Sequence, residues 1–346
     1  MSHIKFIASA IILILASVSP ALAQSGGYAG EFTRMGFSPR GMAMGNAMSA
    51  VHHQGVYTYY NPAMAALQSE SVQADLSTAA LRFDRRLHMA SVHFHLPPMA
   101  GLSFSVMNAR VSNIDGRTSS GYHTGMLSTA EYQFSAAFGL QFHERFLAGL
   151  GIKYNIAVYH REVASTGSVG LDAGVLFRAT DRLTAAVTVK DLLSGYDIDS
   201  SELYGTERTT GGMLRFTLRI ITAVSYAISE RWLFSTDFER RVAKAERLFT
   251  ETVNQNEFAV PVQRREMISE GYTFLRAGTS FKAHERITAR AGLQWADVGG
   301  ENLLLPSFGF SLHLPFDRFL PSVDYAFVRE PNQLTNMHVF SLRLNI

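Results

Sequence analysis

The sequence contains no cysteine, which excludes a disulfide framework, a thiolate metal site and a catalytic thiol. It also lacks an excess of either charge, with 31 Lys and Arg against 29 Asp and Glu. A nucleic-acid partner is usually matched by a basic excess, so we expect none. Long apolar runs are scarce as well. The densest one, residues 6–18, is shorter than the roughly twenty residues that a transmembrane helix needs.

The short apolar run belongs to a pattern typical of a secretory signal peptide. Lys5 precedes the run, and Ala21, Leu22 and Ala23 follow it as an A-x-A cleavage site. We therefore expect residues 1–23 to be removed, with cleavage before Gln24. Since no cysteine follows the cleavage site, the pattern is not that of a lipid-anchored start.

From about residue 71 onward, apolar side chains recur at every second position. This period is that of β-strands with one apolar face. One clear case is the series Tyr132, Phe134, Ala136, Phe138, Leu140 and Phe142. The pattern predicts fourteen strands at 71–82, 87–96, 101–111, 131–142, 146–160, 167–178, 183–192, 214–228, 232–242, 271–282, 287–296, 304–314, 320–329 and 337–346.

Strand length and connection length indicate where these strands lie. Most have nine residues or more, the length that crosses a bilayer, whereas globular strands average about five or six. Short connections (97–100, 143–145, 180–182, 229–231, 284–286, 316–318) alternate with longer ones (111–130, 193–213, 242–270, 329–337). Bacterial outer-membrane barrels combine short periplasmic turns with longer outer loops. A large soluble β-sandwich, the alternative, explains neither feature.

The predicted fold is thus all-β: a 14-stranded antiparallel transmembrane β-barrel over residues 71–346, located in the bacterial outer membrane among its lipids. If the apolar faces meet lipid, the polar faces point into the lumen. The predicted lumen-facing charges are Arg215, Arg219, Asp237, Glu239, Arg276, Arg290, Asp324 and Arg343. Because buried charges need partners, we expect Arg276 and Arg290 to pair with carboxylates such as Asp237, Glu239 or Asp324, or with the N-terminal segment.

Two copies of the trio His-Glu-Arg, at 143–145 and 284–286, could suggest metal binding or acid–base chemistry. Related connections read Thr-Asp-Arg at 180–182, Ser-Glu-Arg at 229–231 and Phe-Asp-Arg at 316–318. These lack the histidine that such chemistry would need. We therefore interpret all five as turns between antiparallel strands, where polar residues are favoured.

Residues 24–70 show no strand alternation and are rich in glycine, alanine and methionine. Asn61 followed by Pro62 predicts the start of a short helix, with Asn as the cap and Pro at the first helical position. A segment of this kind cannot form the barrel wall. We predict that it is a plug or hatch inside the barrel, containing short helices.

Specific residues in this segment resemble a known group. An Arg-x-x-x-Met-Gly-like run comprises Arg40, Gly41, Met44 and Gly45, and an aromatic-Asn-Pro-Ala motif comprises Tyr60, Asn61, Pro62 and Ala63. With these motifs the sequence resembles the FadL-type outer-membrane transporters of hydrophobic compounds, and most closely their PorV/PorQ branch. The resemblance covers the whole chain in architecture and about residues 27–67 in motif.

The resemblance implies two functions. The first is the PorV/PorQ role in type IX-like protein secretion or surface attachment, with secretion-system proteins or cargo as partners. The alternative is a FadL-like channel for uptake of a hydrophobic small-molecule ligand. No spacing in the sequence identifies a nucleophile with its base, so we expect no enzyme activity and no cofactor. His93 and His95 share a strand face, but two ligands are too few for a structural metal site, and we expect none.

Overall fold

The computed structural model describes residues 29–68, 71–160, 163–199, 210–255, 258–298, 301–316, 319–330 and 335–346. The predicted signal peptide lies outside the described residues, as do Asp317 and Arg318 of the last predicted turn. In the described part of the chain, no helix combines the length and the apolar character that a membrane crossing requires.

Fourteen strands close into an antiparallel barrel, as the alternation predicts. The strands, in chain order, are β1 (Gln73–Ala80), β2 (Arg85–Leu96), β3 (Ala100–Arg117), β4 (His123–His143), β5 (Phe146–Val158), β6 (Thr166–Arg178), β7 (Leu183–Leu192), β8 (Gly195–Asp199), β9 (Thr210–Arg215), β10 (Leu218–Ala227), β11 (Trp232–Gln255), β12 (Phe258–His284), β13 (Ile287–Val298), β14 (Glu301–His313), β15 (Ser322–Arg329) and β16 (Asn336–Asn345). Strands β8 and β9 form a separate two-stranded sheet, and β1 pairs with β16 to close the wall.

The two ends of the barrel differ. The His-Glu-Arg trios lie where β4 turns into β5 and β12 into β13, so the interpretation of these trios as turns is confirmed. We call the end with these short turns the periplasmic end and the opposite one the outer end. Chain reversals at the outer end include the β7–β10 connection, which carries β8 and β9.

Two of the connections predicted as loops are largely strand. Residues 112–130 continue β3 and β4, and residues 243–270 continue β11 and β12 as a hairpin with pairs from Ala243 with Glu270 to Gln255 with Phe258. Neither neighbouring strand follows that hairpin, since β10 pairs with β11 only up to Val242 and β13 begins to pair at Thr273. Outside the bilayer, the two strands of a hairpin can pair their backbone N–H and C=O groups without needing an apolar face. Residues 243–270 therefore lack the alternation that marks the other strands.

The segment from residue 29 to 68, called the luminal segment below, lies inside the barrel and contacts strands around the wall. It contains a 3₁₀ helix (Glu31–Arg34), the helix α1 (Ser38–Ala43) and a second 3₁₀ helix (Pro62–Ala66). Its apolar side chains form the main core together with inward residues of the wall; this core includes Met42, Met44, Met48, Tyr57, Tyr60, Met64, Leu87, Leu147 and Leu176.

Candidate functional site: the barrel lumen

A row of four glycines on neighbouring strands seats one end of the luminal segment. Gly101, Gly139, Gly149 and Gly174 are direct partners across β3, β4, β5 and β6. A Cβ atom added at Gly101 would lie 1.9 Å from the carbonyl oxygen of Ala65, and one added at Gly149 would lie 2.4 Å from the Pro62 backbone. The 3₁₀ helix Pro62–Ala66 therefore packs directly on the backbone of the wall.

A second row seats the C-terminal end of α1 in the same way. Gly278 pairs with Gly292, and Gly292 pairs with Ser307. A Cβ at Gly292 would lie 2.0 Å from the amide nitrogen of Gly45. Gly45 itself has φ +63°, a backbone conformation that favours glycine. Thus two separate parts of the luminal segment rest directly against the backbone of wall glycines.

Residues of the first motif contact the wall and the second motif. Arg40 donates from Nε to both carboxylate oxygens of Asp324 at 3.0 and 3.1 Å, and from Nη2 to Ser322 Oγ at 2.6 Å. Gly41 lies against Tyr60, because a Cβ there would be 2.2 Å from the Tyr60 hydroxyl. These contacts give Arg40 and Gly41 a role in fixing the luminal segment.

The second motif also positions this segment. The Tyr60 hydroxyl accepts from the amide of Phe37 at 3.1 Å. The helix start predicted at Asn61 and Pro62 is present: Asn61 Oδ1 accepts from the Ala63 amide at 3.0 Å. Asn61 Nδ2 donates to the carbonyls of Ser49 and Val175 at 3.1 Å each, so one buried side chain joins the cap to β6.

Most of the predicted lumen-facing charges are buried, namely Arg219, Asp237, Glu239, Arg276, Arg290, Asp324 and Arg343. Glu239 binds Arg276 and Arg241, each at 2.5 Å. Arg343 binds Asp75 at 3.1 Å. Arg276 thus pairs with a carboxylate, and Arg290 contacts the N-terminal segment through Gln54; both are among the expected partners. Asp237 accepts from the Ser49 amide, and Arg290 donates to Gln54 Oε1 and Ser311 Oγ; neither has an ion pair with another described residue.

Arg215 occupies a different place from the one that alternation indicates. It belongs to β9, pairs with Gly195 outside the barrel wall and is exposed. The wall strand begins three residues later, at Leu218. The apolar series that starts at Leu214 therefore crosses a change of sheet, with Phe216 packed on Tyr196 of β8.

A β-bulge brings one further charge into the lumen. Between the pairs Leu171–Leu192 and Ala173–Val189, two residues of β7 lie opposite Asp172 alone. Both of these residues, Lys190 and Asp191, are consequently buried. Strict alternation would place Asp191 on the lipid face.

Asp191 is the centre of a buried ionic cluster. Its carboxylate binds Lys153 Nζ at 2.8 Å and Arg219 Nε at 2.8 Å. Lys153 also binds Asp172 at 2.7 Å, and the Asp191 amide donates to Asp172 Oδ1 at 2.9 Å. Since a buried charge without a partner is very costly, this cluster stabilises the lumen only as a complete set.

Two cavities lie on either side of the luminal segment. The outer cavity, of about 250 Å³, has an apolar lining that includes Phe32, Met35, Met42, Leu87, Ala109, Phe274, Leu303 and Val328. The periplasmic cavity, of about 720 Å³, is polar and is lined by residues such as Arg40, Gln54, Lys282 and Arg290. A void of about 20 Å³ lies beside Tyr59 and Tyr60.

Three of the arginines that border the outer cavity form ion pairs. Arg34 binds Glu31, and Arg85 of β2 binds Glu330. Arg241 binds Glu239 and lies with its guanidinium carbon 3.8 Å from the centre of the Phe274 ring. The surface that the cavity offers to a bound molecule is mainly apolar.

The outer surface of the wall is apolar. Large exposed side chains project from strand after strand, among them Leu150, Ile152, Phe234, Phe238, Phe308, Phe310 and Phe340. A closed barrel with an apolar outer belt and a polar interior is adapted to lipid. The protein is an outer-membrane β-barrel.

Solved structures with a similar fold include two toluene transporters and a FadL homologue. The Ralstonia pickettii toluene transporter TbuX aligns over 91% of this chain and 100% of its own, with a TM-score of 0.60 and 11% identity. The Pseudomonas putida toluene transporter TodX aligns over 90% and 97%, with a TM-score of 0.59 and 12% identity. A Pseudomonas aeruginosa FadL homologue aligns over 89% and 97%, with a TM-score of 0.59 and 10% identity.

At these identities the similarity shows a shared fold. It agrees with the FadL-type architecture that the motifs imply, whereas the assignment to the PorV/PorQ branch stays a prediction. No protein-family model matches the sequence, and no curated protein is significantly similar to it.

Proposed function

We propose that this barrel is a channel for the uptake of hydrophobic compounds across the outer membrane. The observation that carries the proposal is the apolar outer cavity, which lies between the luminal segment and the outer end of the wall. Its floor includes Phe32, Met35 and Met42 of the luminal segment, and its sides include Leu87 and Phe274 of the wall. A molecule that enters from outside would meet this cavity before the luminal segment.

The size and chemistry of the cavity favour a small apolar ligand. An apolar cavity of about 150 Å³ is enough to hold benzene. The outer cavity, at about 250 Å³, has room for a single-ring hydrocarbon with a short substituent. The toluene transporters named above share the fold, and they support this ligand class.

Passage beyond the cavity requires part of the luminal segment to move. Residues 31–46 provide the floor of the cavity, and a void of about 20 Å³ lies beside Tyr60. The glycine rows hold this segment at Gly45 and at Pro62–Ala66, so we expect the section before Gly45 to move most easily. The transporters compared above favour this role over the secretion role that the PorV/PorQ resemblance implies.

The proposal can be tested by filling the cavity. Ala109 lines it from β3, so the substitution Ala109→Phe should reduce uptake of radiolabelled toluene severalfold in cells whose outer membrane has no other hydrocarbon transporter. Ala277, on the outward face of β12, provides the matched control: Ala277→Phe adds the same ring to the lipid side and should leave uptake unchanged.

Heat-modifiable migration on gels would verify that both variants fold. If the folded wild-type protein gives no more uptake than cells without it, the proposed function is wrong. Equal uptake by wild type and the folded Ala109→Phe variant would instead remove the outer cavity from the pathway.

A further inference from the structure

Two arginines lie side by side on the lipid-facing surface of the wall. Arg86 of β2 and Arg110 of β3 are direct cross-strand partners. Both are exposed, while their neighbours Leu87 and Ala109 face the lumen and pack on the core there. Residues paired in this way have Cβ atoms about 5 Å apart, and like charges directly opposite one another destabilise a sheet.

Neither arginine forms an ion pair with any residue that the structure describes. Asp84, in the turn before β2, accepts a hydrogen bond from Asn113 Nδ2 at 3.1 Å. Arg85, next in the chain, faces inward and binds Glu330. The outward pair is thus a concentrated positive charge that its own chain leaves uncompensated.

The residues beside the pair leave space over it. Along the same row of the wall, Arg86 is flanked by Ala80 of β1, and Arg110 is flanked by Ala130 of β4. Ala80 in turn pairs with His338, which is exposed. Small side chains on both sides allow a bulky head group to approach the two guanidinium groups.

An apolar groove begins directly below this row. It has a volume of about 410 Å³ and runs over β16, β1, β2 and β3, with Leu76, Thr78, His88, Ala90, Val106, Asn108, Phe340 and Leu342 among its lining residues. Ala90 lies opposite Leu76 and Val106 in the register, so a small side chain separates two larger ones. The groove is open toward the lipid.

The height of the pair on the wall matches a lipid head group. Arg86 is ten residues from Leu96, where β2 ends at the periplasmic side. At about 3.3 Å per residue and a tilt of about 40°, this corresponds to roughly 25 Å, the height of the apolar band in such barrels. Arg86 and Arg110 therefore lie at the level of the outer head groups.

We propose that Arg86, Arg110 and the groove below them form a binding site for a phosphate-bearing lipid of the outer leaflet. The two guanidinium groups bind the phosphate through charge-assisted hydrogen bonds, for which their planar donor sets are suited. One acyl chain occupies the groove over Ala90. Arg86 and Arg110 are among the residues that border the outer cavity, but the alternation with Leu87 and Ala109 places their side chains on the lipid-facing side of the wall.

Native mass spectrometry of the purified full-length barrel in detergent can test the site, with diphosphoryl lipid A and its dephosphorylated form as probes. The wild-type protein should bind the phosphorylated lipid about tenfold more tightly, given the attraction that each surface arginine exerts on an anionic lipid. The double variant Arg86→Gln/Arg110→Gln should bind both forms equally. Ala90→Phe should weaken both forms by a similar factor, because it fills the groove and leaves the arginines in place.

Arg240→Gln is the matched control. Arg240 is also exposed and outward on the wall, but it lies on β11 and donates to Thr273 Oγ1 at 2.7 Å. This variant should retain the wild-type preference for phosphate. Equal binding of the two lipid forms by wild type, or an unchanged preference in the folded double variant, would overturn the phosphate site. An Ala90→Phe variant that binds as wild type does would overturn the groove.

Discussion

The backbone amide of Gly45 donates a hydrogen bond to Ser307 Oγ at 3.1 Å, and the same hydroxyl donates to the carbonyl of Ala43 at 3.1 Å. Ser307 continues the row that begins with Gly278 and Gly292, so the end of α1 meets two glycines and then one hydroxyl. Buried amides and carbonyls need partners, and this serine supplies both where the wall's own backbone groups are already paired. The luminal segment is therefore seated by backbone contact as well as by apolar packing.

Two inward-facing glycines of one strand can test whether the luminal segment packs directly on the wall backbone. Gly149 and Gly151 both belong to β5 and both face inward, but a Cβ at Gly149 would lie 2.4 Å from the Pro62 backbone, whereas one at Gly151 would lie 3.5 Å from its nearest neighbour. Gly149→Ala should lower the free energy of unfolding by about 1–3 kcal/mol, the usual cost of overpacking. Gly151→Ala should be close to neutral. Urea unfolding followed by tryptophan fluorescence measures both, and equal effects would contradict direct seating.

Removing the central carboxylate of the buried cluster should be strongly destabilising. Asp191→Asn leaves Lys153 and Arg219 without the charge that each contacts at 2.8 Å, and breaking a buried pair costs about 3–5 kcal/mol. The control is Asp115→Asn, because Asp115 binds Arg117 at an exposed site. An exposed pair is worth less than about 1 kcal/mol. Comparable unfolding midpoints for the two variants would show that the cluster contributes little.

Much of this fold could be predicted from the sequence, because lipid outside and polar groups inside impose a strict period of two. That rule identifies the strands and places residues such as Glu239 and Arg276 in the lumen. It fails where the constraint is absent or broken. The bulge at Asp191 reverses the face of one residue, and the change of sheet near Phe216 moves Arg215 out of the wall.

The wall surface that contacts the luminal segment could have been predicted from a different sequence feature, the glycines at inward strand positions. Gly101, Gly139, Gly149 and Gly174 occupy inward positions of four consecutive strands, where a polar side chain would otherwise be expected. Strand glycines indicate close approach of another backbone. Their alignment into one row depends on the register, which the sequence pattern does not specify.

Asn61 caps the second 3₁₀ helix through Oδ1 and bonds Ser49 and the wall through Nδ2. Two substitutions separate the stability that the cap adds from the stability that the Nδ2 bonds add. Asn61→Ala loses the bond from the Ala63 amide and both bonds from Nδ2, and should destabilise the protein by about 2–3 kcal/mol at about 1 kcal/mol per hydrogen bond. Asn61→Ser retains a capping oxygen and should lose about 1 kcal/mol less. Thermal unfolding in detergent provides the comparison. Identical losses would mean that the cap adds no stability.

Low pH should weaken the folded state through His52. Burial, followed by the nearby His53 and Arg178, lowers the pKa of His52 from 6.5 to about 3. In the unfolded chain this histidine binds a proton near pH 6.5, so stability falls as the pH drops below 6.5 and levels off below about 3. Other groups titrate in this range as well, so the test is the difference between wild type and His52→Gln. Between pH 7 and pH 4, the melting temperature of the variant should fall less than that of wild type. Equal decreases would contradict the assignment of this pH dependence to His52.

The orientation of the barrel can be tested with single cysteines, since the chain has none of its own. Asn254 lies near the tip of the β11–β12 hairpin, where it pairs with Ala259, and Glu144 lies in the turn between β4 and β5. Short turns face the periplasm in bacterial outer-membrane barrels, so the hairpin should project outward. A bulky polyethylene-glycol maleimide should therefore label Asn254→Cys in intact cells and should label Glu144→Cys only after the outer membrane is permeabilised. Both variants should react in detergent, which establishes that the thiols are accessible.

Labelling of Glu144→Cys alone in intact cells would invert the assignment of the two ends. It would also place the apolar cavity and the Arg86–Arg110 pair on the periplasmic side, where neither the uptake pathway nor the outer-leaflet lipid site could operate as proposed.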